Sequence, residues 1–203
     1  MNGRAVRGLL ALPLLGALLT GCGIRPTEVP TDFGGAPSRV PCSPTGSGQA
    51  TASPEGVPVQ VFLLCGASLV TVDRSVRVPE GTPDARRRVM VAQGLLDQLA
   101  SAPSAGERAA GYQTRVPGGI TVTGPGREEP EEALRLSTAP DKLGSPALAQ
   151  VVCTFSDSAA AEGDGSVILA GPAPAAPRRY ECTEDVRDHP GRVQPPSSAV
   201  QLS

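Results

Sequence analysis

Four cysteines, Cys42, Cys65, Cys153 and Cys182, constrain this chain more than any other feature. Cross-linked, they fix which distant segments must meet. Reduced, they are small apolar side chains that fix nothing. The choice depends on the compartment, and the amino terminus decides that. Arg4 and Arg7 precede an apolar run over residues 8–20, which is thirteen residues long. A membrane-spanning helix needs about 20 apolar residues, so the run is too short to span. Its length, basic flank and small-residue exit are those of an export signal. The chain has five cysteines; with Cys22, just behind this run, set aside, an even four remain, and in an exported chain they read as two disulfides. Their spacings of 23, 88 and 29 contain no C-x-x-C pair, and His189 is the lone histidine, so a metal site is the weaker alternative. Three pairings are open, and the residues do not choose among them.

The exit itself, Leu19-Thr20-Gly21-Cys22, resembles the lipobox of bacterial lipoproteins. That resemblance implies cleavage behind Gly21 and a diacylglyceryl group on the Cys22 thiol. At about 0.8 kcal/mol per buried CH₂, two acyl chains hold a protein on a bilayer far better than one. The expected location is the outer face of the cytoplasmic membrane, with the membrane itself as the first partner. Without Arg4 and Arg7 the chain keeps 16 basic and 20 acidic side chains. A mildly acidic chain offers nucleic acid no electrostatic footprint.

Composition divides the chain into a signal at 1–21, a tether at 22–56, a domain at 57–182 and a tail at 183–203. The tether, with "SPTGSGQATASPEG", is too poor in apolar residues to offset its ordering entropy. The tail is polar and proline-containing, and is expected to be disordered.

Within the domain, "VPVQVFLLCGASLVTVDRSVRV" alternates with period two on both sides of Gly66-Ala67-Ser68, which predicts a hairpin. Val59, Val61, Leu63 and Cys65 share one face; Phe62 and Leu64 share the other. A helix follows, with Asp84 able to cap and Val89, Ala92, Leu95, Leu96 and Leu99 on its apolar side; Pro103 ends it. Ser104 and Glu107 form a capping box for a short turn of helix that Gly111 can close. "ITVTG" and "ALRLS" read as short strands, and "REEPEE" between them as a solvated acidic loop. A second main helix has Ser145 at its N-cap, Pro146 at its first helical position, and Leu148, Val151, Val152, Phe155 and Ala159 as its stripe, ending before Gly163. "SVILAG" supplies a last strand, and "RRYEC" an added edge strand held by Cys182.

Five segments together resemble the GerMN (sporulation and spore germination) domain: "VQVFLL…LVTVDRSV", "AQGLLDQLASAPSAGERAAGYQTRVPGG", "ALRLS", "ALAQVVCTF" and "GSVILAGP". They cover roughly residues 57–172. The cysteine frame and linker look like streptomycete, that is actinobacterial, lipoprotein variants of that domain. The resemblance implies an α+β fold: a small mixed β-sheet with two main helices packed on one face, here stapled by disulfides. It also implies an extracytoplasmic module in envelope or developmental processes that contacts an envelope protein, with no catalytic residue and no cofactor to carry over.

Side-chain chemistry points the same way. His189 lies in "DVRDHPGR" and reads as a solvated loop histidine, which leaves serine nucleophiles without a base. Glu128, Glu129, Glu131 and Glu132 are interrupted by Pro130 and read as a charge run rather than a glycosidase pair. "GDGS" at 163–166 reads as a turn entering a strand. Asp73 and Arg74 read as an edge ion pair, and Arg86-Arg87-Arg88 as a solvated face or a contact for anionic lipid. The expectation is therefore a lipid-anchored, non-enzymatic interaction module. The alternative is a lipoprotein that binds a small ligand or cell-wall fragment in a pocket between helices and sheet.

Overall fold

A computed structural model of the chain describes Cys42 and residues 56–200, all within the unit Arg39–Ser203. The expected signal, the lipidation site Cys22 and nearly all of the tether lie outside the described residues.

The hairpin forms as its alternation predicts. Strands β1 (Gly56–Cys65) and β2 (Ser68–Arg77) pair antiparallel over their full length, from Gly56 opposite Arg77 to Cys65 opposite Ser68. Gly66 at φ +63° supplies the left-handed backbone that a two-residue connection needs. Toward the turn both faces of β1 are apolar because both are covered, whereas Pro58 and Gln60 further back are exposed. Val61, Leu63 and Cys65 enter the main core, while Phe62 and Leu69 join a second cluster with Val186.

Helix α1 (Asp84–Ala100) buries Val91, Ala92, Leu95, Leu96 and Leu99. Asp84 does not cap it. Pro83 holds the N-cap position without a side-chain hydrogen bond, and Asp84 sits in the first turn. The stripe lies in the expected register; Val91 is buried with it, and Val89 is half-buried against the same core. Gly94 lets α1 close onto the hairpin: a Cβ there would meet Val76 Cγ1 at 2.2 Å. Helix α2 (Ala105–Ala109) carries the full capping box, with Ser104 accepting from Glu107 N and the Glu107 carboxylate accepting from Ser104 N. Gly111, at φ +91°, closes it. The chain then adds a short strand that sequence periodicity does not reveal, β3 (Tyr112–Gln113), which pairs with the end of β1.

The remaining strands make a second, mixed sheet in the order β4-β5-β6-β7-β8. These are β4 (Val122–Thr123), β5 (Leu134–Leu136), β6 (Ser166–Ala170), β7 (Arg178–Glu181) and β8 (Ser197–Ala199). Only β5 and β6 run parallel, and the central β6 is buried along its whole length. The α+β class expected from sequence is the class adopted, with the strands shared between a three-stranded and a five-stranded sheet.

Helix α3 (Ser145–Ser156) is the centre of the fold. It packs against β1, β6, β7 and α1, and every residue from Ala147 to Ser156 is buried. Its expected cap is displaced by one position: Gly144 is the N-cap, and Ser145 and Pro146 form the first turn. Two polar residues on this helix complete the hairpin. Phe62 N donates to Thr154 Oγ1 at 2.9 Å, and Phe62 O accepts from Gln150 Nε2 at 3.0 Å. In an antiparallel pair alternate residues turn both backbone groups away from the partner strand, and Phe62 is one of them. The edge that β1 presents is thus capped by helix side chains beside the two-residue strand β3.

The tail departs most from expectation. Residues 183–200 are not a loose thread: helix α4 (Glu184–Asp188) has Thr183 as its N-cap, and β8 pairs with β7, so β7 is not the edge. Val186 is fully buried, and Val193 packs on the same cluster as Phe62 and Leu69. Polar composition hid this because the segment adds only Val186 and Val193 to a cluster that Ala149 and Cys153 of α3 help to complete. The disulfide Cys153–Cys182, with Cα atoms 4.9 Å apart, holds the start of this segment on α3.

Candidate functional site

The cysteines are all consumed structurally among the described residues. Cys42 bonds Cys65, with Cα atoms 5.9 Å apart, and Cys153 bonds Cys182. The first bridge draws the segment before the domain onto the turn end of β1, where Tyr112 Oη also donates to Cys42 O at 2.5 Å. These two pairings resolve the three that the sequence left open.

Each carboxylate with a clear pKa shift is shifted by a structural partner. Burial by itself would raise the Glu107 carboxyl, but the Ser104 N–H and the Arg74 guanidinium outweigh it and hold the group below its ordinary value. Arg74 reaches Glu107 Oε1 at 2.8 Å, so its partner lies across the fold rather than beside it at Asp73. The acidic loop contains a second pair. Glu129, expected to be solvated, is gripped by Arg135, whose hydrogen bonds lower its carboxyl against the opposing effect of burial. Arg135 also donates to Gly171 O at 2.6 Å and to Ala175 O at 3.0 Å, tying the acidic loop to the loop between β6 and β7. Asp164 in "GDGS" accepts from the Ser166 hydroxyl and N–H, which lower it; this is the expected turn into β6. All three carboxyls are held in the charged form, the opposite of what a proton-donating acid requires.

Surface concavities of about 380 to 570 Å³ ring the domain. Two of them, of about 570 and 530 Å³, lie between helix and sheet: one where β2 meets α1, the other where the hairpin meets Val91 of α1 and the end of α3. One concavity has a distinct chemistry. It measures about 530 Å³ and lies where the hairpin turn at Gly66 meets the tail. Its polar lining comprises Gln113, Arg115, His189 and Arg192, with Leu64 and Pro146 as apolar wall. No side chain lining it among the described residues is acidic.

Local structure presents these groups in specific ways. Gln113 is in β3. Arg115 follows it, with its N–H held by Gln150 Oε1 at 2.8 Å. His189 is the C-cap of α4, and its Nδ1 lies 3.1 Å from Asp185 Oδ1. Arg192 closes a turn through its N–H to His189 O at 2.9 Å. His189 is the exposed loop residue that its sequence context predicts, with Asp185 as its partner. Sequence reading singled out neither Arg115 nor Arg192. Both sit in proline- and glycine-containing turns, "YQTRVPGG" and "DHPGR", which mark loops but not which loops meet. The arginine run that was singled out, Arg86-Arg87-Arg88, opens α1 away from this concavity, and Arg88 is engaged with Glu131 O at 2.9 Å.

In comparisons with known proteins no family model matches the chain, and no curated protein or solved structure matches it.

Proposed function

We propose that this protein is a lipid-anchored extracytoplasmic module of GerMN type that works by protein–protein contact in envelope or developmental processes. The observation that carries the reading is the Leu19-Thr20-Gly21-Cys22 exit ahead of a domain that closes two disulfides. Disulfides persist where the environment oxidises thiols, which suits a chain acting outside the cytoplasm.

The staples support the anchoring in a second way. Because Cys42 is bonded to Cys65, the distance available between the anchor and the domain is set by the residues from Cys22 to Cys42. Even fully extended these span at most about 70 Å, so contacts fall close to the bilayer. The contact surface follows from the sheet. β1 is closed on one side by β3 and α3, whereas among the described residues no strand pairs with the outer edge of the ten-residue β2. An unpaired strand edge carries a row of backbone donors and acceptors that a partner strand can use.

Crosslinking in the producing cells tests this reading, with a photoreactive residue at Thr71 or Ser75 on β2. One reproducible envelope protein captured from both positions, and not from the exposed Ser198 on β8 of the five-stranded sheet, is the expected result. Capture of nothing, or of the same background from all three, overturns it.

A further inference from the structure

We propose that the concavity between the hairpin turn and the tail is a binding site for a phosphate group, read by Arg115 and Arg192. This inference is independent of the anchoring and of the β2 contact, since it uses neither Cys22 nor that edge.

Charge is the first ground. The chain is acidic overall, with 20 acidic against 18 basic side chains, yet this concavity is lined by Arg115, Arg192 and His189 and by no acidic residue, Asp185 standing behind His189. Arg74, Arg135 and Arg179 each have a carboxylate partner within 4.0 Å. Among the described residues, Arg115 and Arg192 have none, as is true of most of the other arginines; what sets these two apart is that they line one hollow. Two unneutralised cations facing one hollow repel each other, and an anion between them removes that cost.

Preorganisation is the second. The backbone of Arg115 is fixed through Gln150, a fully buried side chain of α3. The turn bearing Arg192 is closed by two hydrogen bonds onto His189 O, from Arg192 N and Val193 N. Asp185 occupies Nδ1 of His189, which leaves Nε2 as the ring atom free to meet a ligand.

Size and donor number choose the ligand. About 530 Å³ lies within the 300–1,000 Å³ typical of small-molecule sites. Each arginine presents five N–H donors in a planar fork, more than a carboxylate's two oxygens can satisfy when two forks converge. A phosphate offers oxygens to both, and Leu64 and Pro146 give a small organic remainder an apolar wall. Such a phosphate has two sources, an anionic phospholipid headgroup or a free phosphate compound.

The experiment places the full chain in phosphatidylcholine nanodiscs and titrates inorganic phosphate while following the arginine Nε–H signals by NMR. Two signals should move saturably, and they should be those missing from Arg115→Gln and Arg192→Gln. Each variant should weaken phosphate about tenfold, and Arg86→Gln should not. Repeating the titration in discs that contain phosphatidylglycerol separates the sources. Signals already shifted and no longer responsive to phosphate identify the headgroup; signals that still respond identify a free phosphate compound. Small shifts spread evenly over all exposed arginines, or unchanged affinity in both variants, overturn the site.

Discussion

Glu107 carries two structural duties with one carboxylate: it completes the capping box of α2 and pairs with Arg74 of β2. Its carboxyl is held below the ordinary value, so its contribution to stability is present above the unfolded-state pKa. That contribution is lost as the pH falls through the lower folded-state pKa. Glu129 and Asp164 are lowered as well and act with the same sign. Urea midpoints should therefore fall on acidification below about pH 4.5, the ordinary carboxylate range. Glu107→Gln should lower the neutral-pH stability by about 1.5–3 kcal/mol, the scale of a hydrogen bond to a charged group, and flatten the acid limb. An unchanged acid limb would show that the pair contributes nothing. The sequence made half of this visible. Ser104 and Glu107 announce their capping box by a three-residue spacing, whereas the reach of Arg74 to Glu107 depends on the packing of the hairpin beside α2. No local pattern encodes it.

At the scale of elements, α3 and the hairpin depend on one another through Thr154 and Gln150. Thr154→Val keeps shape but leaves the buried Phe62 N–H without an acceptor, which should cost about 1–3 kcal/mol in chemical denaturation. Thr154→Ser should recover most of that. Equal losses in the two variants would mean that packing, not the hydrogen bond, is what matters. Gly94 is the second such joint. Gly94→Ala drives a methyl into Val76 and should destabilise by about 1–3 kcal/mol although alanine is the better helix former. Combined with Val76→Ala the cost should shrink, and strict additivity of the two substitutions would contradict the close approach. The hairpin, α1 and α3 were readable because their apolar periods are long. β3 was not, since two residues carry no period. The fully buried α3 also reads as merely amphipathic until its polar members are seen to serve the backbone of β1.

The molecule as a whole is a core built on α3 and closed by two staples at opposite ends of the domain sequence. Their existence followed from an even cysteine count, but their pairing did not, because pairing is set by which loops the sheets bring together. The tail was misread for a related reason: Val186 and Val193 are too few to mark a folding segment, yet Phe62 and Leu69 need cover. Removing the second staple as Cys153→Ala/Cys182→Ala should cost roughly 3 kcal/mol and reduce amide protection in α4 and β8. Undiminished protection there would show that the segment docks without its staple. Leader, anchor and partner are matters of biosynthesis rather than of packing. The most direct test of a membrane-held, disulfide-closed module is the intact mass of the protein extracted from membranes of the producing cells, after treatment with a thiol-alkylating reagent. The account predicts a chain beginning at Cys22, heavier by a diacylglyceryl group and untouched by the reagent. A chain without lipid, or one alkylated at Cys42, Cys65, Cys153 or Cys182, would contradict it.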